Sequence, residues 1–264
     1  MRTAPQFGSR YVLQARLYNM SKFFWVILFH AVANPFLYLT AIGVGVGTMV
    51  DSNMGGTGVD GVKYLVFLAP ALLASAAVQG SMDETVFPTL GGFMWEKTFF
   101  GIRNTPLSGR QIAIGVFMAA MVRNILTVLI YFGALYAVGV MDGPHAWMAV
   151  PTAIFAGAAF SGVMLAVAGN AKNEDNFFTF IGRFVIQPMF FLSGTFFPLD
   201  SMPFYLRWVG WISPLWHATD LGRYFSYGRS IPGWLIATHL AVLAAMLIIG
   251  LFTAVRIFEK RLTK

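Results

Sequence analysis

Residues 23–50 read FFWVILFHAVANPFLYLTAIGVGVGTMV, twenty-eight consecutive residues without a charged side chain. About 20 apolar residues in a helix cross the hydrocarbon core of a bilayer. The stretch therefore predicts a membrane-spanning helix, tilted or interrupted near Asn34-Pro35, where proline removes a backbone donor. It is too long, and begins too far from the first residue, for a cleaved signal segment.

Further apolar stretches follow along the chain, separated by short polar segments. Together they predict an all-α, polytopic membrane protein forming a single domain over residues 1–264. The six predicted spans are 23–50, 64–82, 111–141, 146–169, 178–199 and 231–255. The composition agrees, because 57% of residues are hydrophobic and only 11% are charged. Soluble domains carry about 25% charged residues, so a water-soluble globule is excluded.

The basic residues are distributed unevenly around these spans. If both termini are cytoplasmic, thirteen of the eighteen Lys and Arg residues flank the cytoplasmic ends, four lie outside and Arg123 lies within a span. This bias predicts that orientation in the cell membrane. It also speaks against nucleic-acid binding, since the charges flank spans and form no single patch.

Three polar segments interrupt the apolar pattern. Residues 1–22 predict an amphipathic helix on the inner surface. Residues 83–110 separate spans two and three. Residues 200–230 mix charges and prolines with aromatic side chains, a composition typical of short helices at the headgroup level.

The sequence contains no phosphate loop of the form G-x-x-x-x-G-K-[ST]. We therefore expect no nucleotide hydrolysis, no catalytic residue, no metal site and no cofactor on this chain. Arg123 is the ionisable side chain well inside a predicted span, where burying a charge is costly. It could contact an anionic substrate or form a gating ion pair; a structural hydrogen bond, or extension of its side chain to the headgroups, would also account for it.

Several motifs together resemble the ABC-2 type exporter permeases, the membrane subunits of ATP-driven export systems. FFLSGTFFPLDSMPFYLRWVGWISPLWHATDLGR, residues 190–223, resembles the signature region of that family. Asn34-Pro35-Phe36-Leu37-Tyr38-Leu39 resembles its span-one motif, and Trp95-Glu96 and Thr105-Pro106-Leu107-Ser108 resemble motifs before span three. The similarity is strongest to nodulation-type permeases, which export lipo-oligosaccharides.

The resemblance implies a surface helix before span one, a coupling helix between spans two and three, and re-entrant helices between spans five and six. It implies two permease chains, identical or related, with two copies of a separate ATPase that carries the ATP and Mg. The cargo would be a lipid-linked saccharide, a glycolipid or a hydrophobic drug. The residues expected to contact the ATPase are Arg10, Arg16, Glu84, Trp95, Glu96, Lys97 and Arg103. The residues expected along the substrate pathway are Asn34, Arg123, Phe190, Ser193, Phe197, Trp216 and His217.

Two other functions stay open. An ion-coupled secondary carrier would need intramembrane carboxylates, and the acidic pair Asp83-Glu84 falls just beyond predicted span two, where we expect solvated flanking charge. A membrane-embedded lipid-modifying enzyme would need a catalytic or metal-binding cluster. Co-purification of an ATPase with the chain would favour the exporter.

Overall fold

The computed structural model describes residues 7–56, 58–172 and 180–263, and it describes no side chain for His30, Asn34, Pro35 and Val44. Within these residues the chain is helical and has no strand longer than an isolated bridge.

Five helical stretches in the described residues are long and apolar enough to cross a bilayer. The first, Phe24–Asn53, consists of α2 (Phe24–Tyr38), a π-helical turn (Leu39–Val46) and α3 (Gly47–Asn53). The other four are α4 (Tyr64–Leu90), which continues through a π-helical turn (Gly91–Trp95), α6 (Gly109–Ala137), α7 (Ala149–Asn170) and α11 (Gly233–Thr263).

Shorter helices lie between and before these spans. They are α1 (Gly8–Lys22), α5 (Thr98–Arg103), a 3₁₀ turn (Ala146–Met148), a π-helical turn (Ile181–Ile186) followed by α8 (Gln187–Leu192), a 3₁₀ turn (Leu199–Ser201), α9 (Phe204–Trp211) and α10 (Pro214–Tyr227).

The structure differs from the predicted spans in two places. Where a fifth span was predicted over 178–199, the described residues form only a shorter apolar helix, Ile181–Leu192; residues 178 and 179 lie outside the described part. The helix predicted to end at residue 82 continues to Leu90, so Asp83 and Glu84 lie inside it. The expectation that these two residues are solvated flanking charges is wrong, because arginines from two other helices form ion pairs with them inside the bundle.

Small residues bring α7 close to its neighbours at the centre of the bundle. A Cβ on Gly250 of α11 would lie 2.5 Å from the backbone nitrogen of Val163, and a Cβ on Gly157 would lie 2.3 Å from the Asn124 side chain of α6. Membrane helices pack closely where such residues let backbones approach. The buried Asn124 donates to the carbonyl of Ile154 at 3.0 Å, which fixes α6 against α7.

The helix α1 lies against the start of α6. Val12 is buried there, and a Cβ on Gly115 would lie 2.5 Å from its Cβ. A capping box begins α6, since Ser108 Oγ accepts from the Gln111 N–H and the Gln111 side chain accepts from the Ser108 N–H. The side chains of Tyr11 and Tyr18 are exposed on the other face of α1.

The two ends of the described chain lie at the same end of the bundle. Arg103 of α5 donates to the carbonyl of Thr263 at 3.3 Å, and Arg261 donates to the carbonyls of Gly169 and Ala171 at the end of α7. The helix α1 begins there too, because Gly8 lies against the Gln111 side chain. We call this the basic end, and the opposite one the far end.

Candidate functional site

Four charged side chains from three helices meet within the bundle, and we call them the Arg16 network. Arg16 of α1 contacts Glu84 of α4 at 2.9 Å, while Arg123 of α6 contacts Asp83 at 3.0 Å and Glu84 at 3.7 Å. The side chain of Glu84 is 5% exposed, and those of Arg16, Arg123 and Asp83 are 18–26% exposed. Two positive charges balance two negative ones, so none is left uncompensated.

The network follows from where each helix places its charge. Asp83 and Glu84 are neighbours on α4. Asp83 contacts the arginine of α6, and Glu84 contacts the arginines of both α6 and α1. Arg123 is therefore an ion-paired residue, not one that extends to the headgroups. The surface helix α1 is joined directly to two spanning helices, and a displacement of Arg16 must alter the environment of Glu84.

A cavity of about 290 Å³ opens beside this network. Its lining combines aromatic, amide, hydroxyl and aliphatic groups from α2, α4, α6, the Ile181–Ile186 turn, α8 and α10. These residues include Tyr38, Ser75, Gln79, Tyr131, Gln187 and Phe190. Gln79 and Tyr131 also line a smaller cavity of about 40 Å³ that Asp83 and Arg123 border, and Gln79 donates to Asp83 at 3.0 Å. The cavity and the ion pairs thus share side chains.

A second polar cluster lies toward the far end, and we call it the Arg223 network: His217, Asp220, Arg223, Arg229 and His239. Arg223 of α10 is 1% exposed. Its guanidinium donates to the carbonyls of Phe67, Gly194 and Thr195 at 2.8–3.2 Å and lies 3.6 Å from the centre of the Phe67 ring. These bonds fix α10 to α4 and to the turn after α8.

Two histidines continue this network as a hydrogen-bonded chain. His217 Nε2 lies 2.9 Å from the Trp211 carbonyl, the two Nδ1 atoms of His217 and His239 are 2.7 Å apart, and His239 Nε2 lies 3.1 Å from Asp220. The carbonyl can only accept, so His217 donates from Nε2. Each of the other two links also needs one proton. The chain of hydrogen bonds therefore joins α10 to α11.

Burial, reinforced by His239, lowers the pKa of His217 to about 4. Burial alone would raise the pKa of Asp220, but the hydrogen bond from His239 and the charge of Arg229 hold it below its usual value. Burial also lowers the pKa of Arg223 to about 10. At neutral pH we therefore expect His217 to be neutral and Arg223 to be charged.

Residues expected to contact a partner lie at the basic end, apart from Arg16 and Glu84. Trp95, Glu96 and Lys97 form the corner between the Gly91–Trp95 turn and α5, all exposed, and Lys97 adopts a left-handed backbone conformation with φ of 53°. Arg103 bonds to the Thr263 carbonyl, and Arg10 lies 4.6 Å from the centre of the Phe7 ring. The residues expected to contact the partner thus fall into two groups: Arg16 and Glu84 lie inside the bundle, and the other five lie at the basic end.

The residues expected along the substrate pathway lie in separate places. Phe190 lines the 290 Å³ cavity, and Arg123 borders the smaller one. Ser193 is buried and bonds to Ser213 at 2.7 Å, which caps α10, while His217 belongs to the histidine chain. Trp216 contacts the His239 ring, and Phe197 is 39% exposed. The side chain of Asn34 is outside the described part.

Sequence reasoning missed Asp83, Gln79, Tyr131, Asp220, Arg223 and His239 as members of these sites. One signal was available: a lone arginine inside a span needs an acidic partner, and Asp83-Glu84 is the acidic pair nearest to span two. No comparable signal marks the histidine chain. Within the described ranges, no group of three or more acidic or histidine side chains is placed to hold a metal.

Comparison with known proteins agrees with this architecture. The family model described as "ABC-2 type transporter" matches residues 11–227. Nodulation protein J of Rhizobium leguminosarum bv. viciae is 29% identical over 236 residues, covering 88% of this chain and 86% of that protein. Its counterpart in Rhizobium meliloti (strain 1021) is 27% identical, covering 87% and 84%. The chain therefore belongs to the ABC-2 type transporter family and is a multi-pass membrane subunit of a transporter.

Proposed function

We propose that this chain is the permease of an exporter that moves an amphiphilic substrate outward, driven by a separate ATP-binding cassette ATPase. The family supports transport, and the sequence lacks a phosphate loop of its own. The observation that carries the proposal is the Arg16 network, because it links the surface helix α1 to the spanning helices α4 and α6.

Force from the ATPase would enter at the basic end. Trp95, Glu96 and Lys97 form an exposed corner at the end of the α4 stretch, and α1 packs against the start of α6 at the same end of the bundle. Closure of two ATPase copies on ATP would move both elements. The Arg16–Glu84 contact would carry the movement of α1 into α4, provided that the ATP-bound partner prefers one permease conformation.

Part of the substrate would occupy the 290 Å³ cavity beside the network. Tyr38, Tyr131 and Phe190 offer ring faces, and Gln79 and Gln187 offer hydrogen-bonding groups. Such a mixture suits a lipid-linked saccharide or glycolipid, because aromatic faces cover apolar surfaces and amides fix polar groups. A hydrophobic drug would use the aromatic part alone. Because the sequence resembles nodulation-type permeases, the saccharide cargo is the first to test.

We place both termini in the cytoplasm and the protein in the cell membrane, as one of two paired permease chains. The two ends of the described chain share one end of the bundle, and most basic residues flank the spans on that side. The positive-inside bias makes that side cytoplasmic.

Replacing Glu84 with Gln tests this function directly. With the ATPase subunit present in proteoliposomes, we expect transport to fall about tenfold while ATP hydrolysis continues, since the contact that couples α1 to α4 is lost. Arg16→Gln should behave alike, and the double variant should be no worse, because both changes remove one interaction. Lys22→Gln, which removes an exposed charge from the same helix, is the matched control.

Wild-type coupling in both single variants would contradict the proposed path. Additive losses in the double variant would do so too. Unfolding midpoints measured in the same detergent separate uncoupling from misfolding.

Asp83 and Glu84 give one specific reason to test a second function, an ion-coupled carrier. Both carboxylates lie inside a spanning helix, as such carriers require. Uphill transport by the chain alone, driven by an imposed pH gradient and abolished by Asp83→Asn, would favour the carrier. Transport that needs the ATPase and ATP would favour the exporter.

A further inference from the structure

A cleft between α6 and α11 opens at the basic end, and none of its lining residues borders the cavity beside the Arg16 network. Its volume is about 590 Å³, within the usual range for small-molecule sites of about 300–1,000 Å³. The floor is apolar, and its residues are Ile114, Phe117, Leu247, Ile248, Leu251, Phe252 and Val255.

Charged side chains border one end of this cleft only. They are Arg110 from α6 and Arg256 and Glu259 from α11. Within the part of the chain that the structure describes, neither arginine has an acidic partner within 4 Å, and Arg256 lies 4.1 Å from the centre of the Phe252 ring. This charged end, which we call the mouth of the cleft, carries a net charge of +1.

The charged mouth lies at the depth of the lipid headgroups. The helix α11 has 31 residues and is about 46 Å long, whereas the hydrocarbon core is about 30 Å thick. Arg256 lies about 35 Å along α11 from Gly233, beyond the core. Arg110 is the second residue of α6, and Gly109 lies against the Glu259 backbone, so both arginines share this level.

We infer that this cleft binds an anionic glycerophospholipid of the leaflet at the basic end, with its phosphate between Arg110 and Arg256 and one acyl chain along the apolar floor. Basic pockets between membrane helices are known to hold such headgroups. Glu259 would accept from headgroup hydroxyl groups, which makes phosphatidylglycerol the best match of charge and donors. A bound lipid would join α6 to α11 without entering the transport pathway.

The test is a titration of the full-length chain in detergent with phosphatidylglycerol, followed by the thermal unfolding midpoint. We expect a saturable increase in that midpoint, because a ligand that binds only the folded state stabilises it. Phosphatidylethanolamine, phosphatidylcholine and inorganic phosphate should each give less than about a third of the increase. Equal increases with any of the three would overturn the inference.

Variants locate the effect. Arg110→Gln with Arg256→Gln should weaken phosphatidylglycerol binding by about tenfold or more, because each basic residue near a membrane surface contributes about 1 kcal/mol, which is roughly fivefold in affinity. The control, Lys172→Gln with Lys260→Gln, removes two exposed charges from the same end of the bundle but not from the cleft.

Filling the cleft tests the acyl-chain part separately. Ile248 is 66% exposed, so Ile248→Trp should fold normally and still reduce the stabilisation by phosphatidylglycerol. Unchanged binding in both the arginine pair and Ile248→Trp would place the lipid elsewhere. A loss in the control pair as large as in the arginine pair would show general charge attraction and reject a defined site.

Discussion

The Arg16 network and the Arg223 network solve the same problem in different ways. Both place charge inside an apolar bundle. The Arg16 network does so with side chains alone, which come from three helices, and three of its four side chains are 18–26% exposed. The second buries Arg223 almost completely against three backbone carbonyls.

The difference indicates which network can rearrange. Ion pairs between side chains can exchange partners without disturbing a backbone, and the side chains of Arg16 and Asp83 are only partly buried. Carbonyls held by α4 and by the turn after α8 have fixed positions, so Arg223 cannot leave them without exposing buried acceptors. We therefore expect the first network to change during transport and the second to hold α10 in place.

Removing Arg223 should have the largest effect on stability. Arg223→Met leaves three buried carbonyls without their donor, and we expect the free energy of unfolding to fall by about 3 kcal/mol or more. Chemical unfolding in detergent measures it. Arg207 also donates to two backbone carbonyls, those of Met202 and Asp200, but is partly exposed. Arg207→Met should therefore cost less than about 1 kcal/mol, and equal costs would refute the contrast.

Acidification should weaken the Arg223 network next. The pKa of His217 is lowered to about 4 in the folded protein, below the value of about 6.5 in an unfolded chain. Between these two values the unfolded state binds more protons, so stability falls as the pH drops from about 6.5 to about 4. The lowered pKa of Asp220 acts in the same direction at more acidic pH.

The full shift of His217 corresponds to about 3 kcal/mol, as an upper limit. Unfolding midpoints of wild type and His217→Gln across this pH range measure the effect. The variant should lose much of the slope between pH 6.5 and 4. If both proteins show the same slope, titration of His217 does not cause the loss of stability in this pH range.

Replacing Glu96 with Lys should change stability least. Glu96 is exposed at the corner before α5, so the free energy of unfolding should shift by less than about 0.5 kcal/mol. If this corner contacts the ATPase, transport per ATP hydrolysed should nevertheless fall severalfold, because the charge at the contact is reversed. Coupling equal to wild type would exclude Glu96 from that contact.

Much of the fold could be predicted because hydropathy is a local property. Residues 146–169 and 231–255 correspond closely to α7 and to the apolar part of α11. The end of α4 could not be predicted this way. The charges of Asp83 and Glu84 indicated that the spanning helix ends before them. The helix continues because each charge has a distant partner: Arg123 is 40 residues from Asp83 in sequence, and Arg16 is 68 residues from Glu84.

The candidate sites were predictable only in part, for the same reason. Arg16, Glu84 and Arg123 each stood out, yet nothing in the sequence pairs them with one another. His217 was identified through its motif, whereas its partner His239 lies on α11, in an otherwise apolar helix. Hydrogen-bonded chains across helices depend on rotation of each helix about its axis, which composition does not reveal.

The helix α4 takes part in both networks, since the carbonyl of Phe67 holds Arg223 and the carboxylates of Asp83 and Glu84 hold the two other arginines. The two attachment points lie on a single helix, about 25 Å apart along its axis. One end of α4 is therefore anchored to fixed carbonyls, so we expect a rearrangement of its ion pairs to move the end of α4 at the basic end and to leave its start in place.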